Sequence, residues 1–116
     1  MPQDQTPADG SRLVSEFAGD QEFSDLIELF VSELPDRLAT IQAALCDAEF
    51  AAIGRLAHQL KGAAPGYGFP TIGEAAEHIE DWFQSLDASP TSAQLSEVRH
   101  MIDALAEICR QATDAS

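Results

Sequence analysis

His58 stands in the run Ala57-His58-Gln59-Leu60-Lys61-Gly62-Ala63-Ala64. On a helix its neighbours three and four residues away share its face, and these are Gly54, Arg55, Lys61 and Gly62. A glycine inside a helix costs about 1 kcal/mol relative to alanine, so two of them flanking one histidine need a reason. Both strip space around the ring, leaving room for an approaching surface. Arg55 and Lys61 are the only Lys or Arg residues between Arg37 and Arg99, and both lie within one turn of His58. An imidazole is substantially neutral near pH 7, because its ordinary pKa is about 6.5. Its unobstructed nitrogen can attack phosphorus, and a nearby ammonium can then pair with the negative charge that arrives. The chemistry indicated is phosphoryl transfer with the histidine as acceptor, a reaction dominated by positioning and electrostatics.

The elements that must hold this face are helices. From Phe23 the apolar positions Phe23, Ile27, Phe30, Leu34, Leu38, Ile41 and Leu45 step by three and four without losing phase across Pro35. One helix is therefore predicted over Gln21–Cys46, about 39 Å long at 1.5 Å per residue, N-capped by Asp20 and kinked at Pro35. A second begins near Ala48, carries Phe50, Ile53, Ala57, Leu60 and Ala64, and ends where Pro65 and Gly66 make further helix costly. A third starts at Pro70 with the stripe Ile72, Ala75, Ala76, Ile79, Phe83 and Leu86. The fourth follows the capping-box spacing Thr91-Ser92-Ala93-Gln94 and buries Leu95, Val98, Ile102, Leu105 and Cys109. No segment alternates with period two, so strands are not indicated. Ahead of these, Ser11–Ala18 reads as a short extra helix with Leu13, Val14 and Phe17 on one side and Gly19 as its stop. Residues 1–10 read as a flexible tail, and 11–116 as a single domain. The fold class is all-α, an antiparallel four-helix bundle with a short extra N-terminal helix.

Composition narrows the partners. The 116 residues carry 20 Asp+Glu against 6 Lys+Arg, a formal charge of −14 that would repel phosphate backbones and anionic headgroups. Nucleic acid and membrane are excluded as partners on this ground. No apolar run reaches the ~20 residues needed to span a bilayer, and the opening residues lack a signal-peptide pattern, so a cytoplasmic location is expected. Cys46 and Cys109 have no metal-ligand spacing and are expected to be semi-buried free thiols in a reducing compartment.

The run His58-Gln59-Leu60-Lys61-Gly62-Ala63-Ala64, followed by Gly68 and a new helix, resembles the signature of histidine-containing phosphotransfer domains, H-x-L-K-G-[AS]-[AS] with a glycine shortly after. The resemblance covers nearly the whole chain, since such domains are four-helix bundles of about this length. It implies a phosphorelay carrier in which His58 takes a phosphoryl group from an aspartyl phosphate on a receiver domain and passes it to another. It further implies that Lys61 is the phosphate neighbour, Gly62 the clearance residue, and that the receiver supplies Mg²⁺, this chain binding no cofactor. Pro65 departs from the commoner pattern. Gly54 and Arg55 lie outside the signature, and their roles come from helical geometry alone. With Gln59, Gly62, Tyr67 and Phe69 they complete the expected binding surface, Tyr67 or Phe69 giving it an apolar rim. The expected partners are receiver domains of hybrid kinases and response regulators, met by a monomer.

Other features carry less. Trp82, Phe83, Phe69 and Tyr67 gather at the loop and the helix after it, where core packing is the simplest role. His78 shares its face with Glu74, Asp81 and Ser85, and His100 with Glu97, Ala104 and Glu107, so both are expected to be exposed and inert. Glu97-x-x-His100 has the spacing of a dimetal bundle, but such a site needs a second pair and inward projection. The chain lacks a dinucleotide loop and a Walker loop, so ATP-dependent self-phosphorylation is not expected. The rival readings are a metal-dependent bundle enzyme and, ranked above it, a receiver-binding adaptor that is never phosphorylated.

Overall fold

A computed structural model describes residues 13–113. The tail expected over 1–10, and Ser11 and Arg12, lie outside the described residues. Four α-helices make up the body: α1 (Gln21–Cys46), α2 (Phe50–Ala63), α3 (Pro70–Gln84) and α4 (Ser92–Gln111). They form a helical bundle around one core.

Helix α1 has the bounds its stripe predicted and runs through Pro35. The Asp20 carboxylate accepts from Glu22 N–H at 3.0 Å, satisfying one of the donors a helix start leaves over. Ile27, Phe30, Leu34, Leu38 and Ile41 are all buried on its inner face. Burying such a side chain contributes about 1.5–3 kcal/mol, so the unbroken stripe outweighs the hydrogen bond lost at Pro35. Helix α4 starts at the capping box: Thr91 Oγ1 accepts from Gln94 N–H at 3.2 Å, and the Gln94 side chain accepts from Thr91 N–H at 2.9 Å. Its buried face is Val98, Ile102, Leu105, Ala106 and Cys109.

Helix α2 buries Ile53, Ala57 and Leu60 and gives way at Ala64 to a 3-10 turn, Ala64–Tyr67, in which Pro65 takes an early position. Pro65 thus tightens the chain where it cannot continue the α-helix. Gly68 ends the turn at φ +88°, a left-handed conformation. At Gly73 the helices α2 and α3 close up, since a Cβ there would stand 3.0 Å from Pro65 Cγ and 3.4 Å from the Lys61 carbonyl oxygen. Two turns along α3 from that close approach stands Glu80.

The extra N-terminal helix is corrected. Leu13–Val14 is extended (β1) and pairs in parallel with Ala112–Thr113 (β2), Leu13 opposite Ala112. The segment then turns across the end of the 3-10 turn. Ser15 Oγ donates to the Tyr67 carbonyl at 2.6 Å, and Glu16 N–H donates to the Gly68 carbonyl at 2.8 Å. Those long-range bonds, together with the β1–β2 pair, satisfy backbone groups that a helix would have paired locally. A side chain at position 68 would overlap Ser15 Oγ, so the strap needs glycine there on two counts.

The thiols also depart from expectation. Both are free, yet Cys46 is exposed and only Cys109 is buried. Burial pushes the Cys109 thiol up to about 12, because the apolar surroundings disfavour thiolate.

Candidate functional site

His58 projects from the outer face of α2 with its side chain 65% exposed. Glu80, on α3, approaches it from the side: Oε2 lies 2.6 Å from His58 Nδ1. The Glu80 side chain is only 9% exposed, and its other oxygen, Oε1, lies 2.8 Å from Lys61 Nζ. Oε1 takes no well-aligned hydrogen bond, so the ammonium charge itself compensates that buried oxygen. Gln84 Nε2 stands at the edge of contact, 3.5 Å from Oε2.

The charges of this triad are mutually set. Lys61 first, and His58 after it, hold the Glu80 carboxyl below the usual carboxylate range, against a desolvation that pushes the other way. Glu80 in turn holds the Lys61 ammonium above its ordinary value, with smaller help from Glu77 and Asp81. An ionised carboxylate can only accept, so the proton between Glu80 and His58 belongs to Nδ1. In the neutral ring that leaves Nε2 with the lone pair. Nε2 makes no hydrogen bond to any described residue, on a side chain that is 65% exposed as a whole.

Clearance around the ring is physical. A Cβ at Gly54 or at Gly62 would meet nothing within 4 Å. Packing within the bundle therefore does not require either glycine. Arg55 and Gln59 are exposed beside them. Among the described residues Arg55 has no ion-pair partner, whereas Arg37 faces Glu33 and Arg110 faces Glu107.

The aromatic rim is corrected in part. Phe69 is wholly buried and stacks on Phe30 with centroids 5.9 Å apart, so it belongs to the core and cannot line a docking surface. Tyr67 is half-buried, stacked on Phe30 at 4.6 Å. The expected single aromatic cluster divides: these two rings pack on α1, while Phe83 pairs with Phe50 at 6.0 Å and Trp82 at 4.9 Å towards the other end of α3. His78 and His100 are exposed. Glu97 is exposed as well, so Glu97 and His100 lack the inward projection of a dimetal bundle.

Glu80 was missed by sequence reasoning. Its signal lay in the α3 stripe, where it follows Ile79 and falls one turn from both Ala76 and Phe83. A carboxylate on the flank of a buried stripe needs a positive partner.

Comparison with known proteins identifies the family. A model of the Hpt domain family matches residues 25–108, and the chain belongs to that family. Members of this family take part in histidine phosphotransfer in phosphorelays, as carriers rather than kinases, and interact with receiver domains. Neither the curated proteins nor the solved structures contain a match. No helix among the described residues is long and apolar enough to cross a membrane.

Proposed function

We propose that this chain is a phosphocarrier in which His58 Nε2 accepts a phosphoryl group from a receiver aspartyl phosphate and yields it to a second receiver. The observation that carries the reading is the exposed imidazole whose Nδ1 is occupied by Glu80 at 2.6 Å. In the step, the Nε2 lone pair forms the N–P bond while the P–O bond to the aspartyl carboxylate breaks. The carboxylate leaves with that electron pair. Nδ1 keeps its proton, so the ring becomes cationic as it is loaded, and the Glu80 carboxylate lies against the new charge. Lys61, drawn to Glu80 before transfer, stands within a side chain's swing of the incoming phosphoryl oxygens. Gly54 and Gly62 keep the in-line approach open, and Arg55, Gln59 and Tyr67 border it.

Mg²⁺ enters with the receiver, whose site supplies the remaining electrostatic stabilisation. The short connections favour antiparallel neighbours among the helices. The working form is a cytoplasmic monomer. The rival is an adaptor on the same fold, which binds receivers without being loaded.

Incubation with a ³²P-labelled phosphoreceiver tests the reading. An acid-labile, base-stable label is expected on the parent, none on His58→Gln, and slower labelling of Lys61→Ala with an unchanged melt. If His58→Gln labels as well as the parent, the acceptor is elsewhere. Receiver binding without any label would favour the adaptor.

A further inference from the structure

His58 has a cation on each side of it along α2, and the two are differently engaged. Lys61, one turn further on, is already held, its Nζ 2.8 Å from the Glu80 carboxylate. Arg55, one turn earlier, is exposed and has no ion-pair partner among the described residues. Side chains on a helix lean towards its N-terminus, so the imidazole covers the turn that carries Gly54 and Arg55 rather than the turn that carries Lys61. His58, Gly54 and Arg55 line one groove of about 570 Å³, and Arg55 is the only Lys or Arg among the described residues that do so. We propose that Arg55 is a second phosphoryl-binding residue: once His58 is loaded, its guanidinium crosses the bare turn at Gly54 and pairs with the phosphoryl oxygens on the side of the ring away from Lys61. The inference rests on the phosphocarrier reading and deepens it by naming a side chain that holds the group on the loaded ring.

Charge makes a second cation necessary. A phosphoryl group adds close to two negative charges near pH 7, on a chain whose net charge is already −14 and beside Glu77, Glu80 and Asp81 of α3. Lys61 turns to that group only by sharing an ammonium that compensates a carboxylate 9% exposed. Arg55 carries no such prior claim. Reach and shape suit it as well: Cβ atoms three residues apart on a helix are about 5–6 Å from each other, a gap that an arginine side chain spans. Its planar fork then presents two parallel N–H donors to a phosphoryl group, whereas an ammonium acts as a point charge. Gly54 leaves the sweep clear, since a Cβ there would meet nothing within 4 Å.

The test is the ³¹P resonance of the full chain, loaded from a phosphoreceiver and then separated from it, followed as pH carries the phosphoryl group between monoanion and dianion. Absence of the signal from His58→Gln assigns it. A guanidinium in contact favours the dianion, so Arg55→Ala should move the titration midpoint up by about half a unit, the attraction between unit charges ~5 Å apart in water. Arg55→Lys, which keeps the charge, should return most of that shift. Arg99→Ala removes an equal charge from an exposed position on α4 and should leave the midpoint at its parental value. In single-turnover loading at saturating receiver, Arg55→Ala should be about tenfold slower, the lower end for a charge-assisted hydrogen bond because the guanidinium is exposed. An unmoved midpoint in Arg55→Ala overturns the assignment even if the KM for the receiver rises, since a KM effect alone would place the guanidinium against the partner. A parent that never loads from an active phosphoreceiver overturns the phosphocarrier reading and this assignment with it, and the presence or absence of label on the parent tells the two failures apart.

Discussion

Glu80 and His58 face each other across two helices, carboxylate to Nδ1 at 2.6 Å, although 22 residues separate them in the chain. The contact places the proton of the neutral imidazole on Nδ1 and leaves the lone pair on Nε2, the nitrogen proposed to accept the phosphoryl group. It is possible because Gly73 lets α3 close on α2, two turns before Glu80.

Replacing the carboxylate by an amide keeps the shape and removes the charge. Glu80→Gln should retain the helical circular dichroism of the parent yet load His58 about tenfold to a hundredfold more slowly, the range for partners that orient a metal-bound imidazole. Glu80→Asp, with a shorter reach, should recover little. Single-turnover transfer from a phosphoreceiver measures both, and equal rates for parent and Glu80→Gln would show that the contact is idle.

The two glycines separate stability from function. Since a Cβ at Gly54 meets nothing, Gly54→Ala should raise stability by up to about 1 kcal/mol in urea denaturation. Gly62→Gln should fold normally and slow transfer from a receiver, because its side chain occupies the approach to Nε2. A Gly62→Gln protein that transfers at the parental rate would remove the clearance argument.

Much of this fold was legible because its signals are local. The α1 stripe from Ile27 to Ile41 keeps phase through Pro35, and Thr91 with Gln94 marks the start of α4, each within a few residues of chain. The exposed His58 face followed from the same periodicity. Leu13, Val14 and Phe17 have helical spacing too, but Ser15 and Glu16 bond to Tyr67 and Gly68, partners that no local window contains. Glu80 escaped notice for the same reason: period shows that a carboxylate flanks the stripe, not which cation on another helix receives it. For Phe69 the sequence allows both core packing, the simpler role, and a place on the docking rim; Phe30 on α1 claims it for the core.

Phe69 accordingly tests core against rim. Phe69→Ala should destabilise the bundle by about 3–5 kcal/mol, the range for a buried phenylalanine, as read by urea denaturation. A loss of receiver affinity with unchanged stability would restore Phe69 to the docking surface.

Titration should bracket stability from both sides. Glu80, held below its ordinary 4.5, contributes fully above that value and loses its contribution as pH falls through its lowered pKa in the fold. Buried Cys109 acts at the other end. Its thiol ionises near 9.0 when unfolded and at about 12 when folded, so stability declines between those values as the unfolded chain alone gives up its proton. Lys61, raised by Glu80 above its ordinary 10.5, adds in the same direction at the top of that range. Urea midpoints across pH check the shape, and Cys109→Ala should flatten the alkaline limb. In the native protein a maleimide should modify exposed Cys46 quickly and Cys109 only on unfolding.

The most direct measurement is NMR of the protein carrying ¹⁵N-labelled histidine, loaded by a phosphoreceiver. The expected spectrum has phosphorus coupled to Nε2 of His58, with Nδ1 still protonated and its proton resonance displaced in Glu80→Gln. Phosphorus on Nδ1, on another residue, or absent after prolonged incubation with an active donor would contradict the assignment of His58 as a carrier whose free nitrogen is chosen by Glu80.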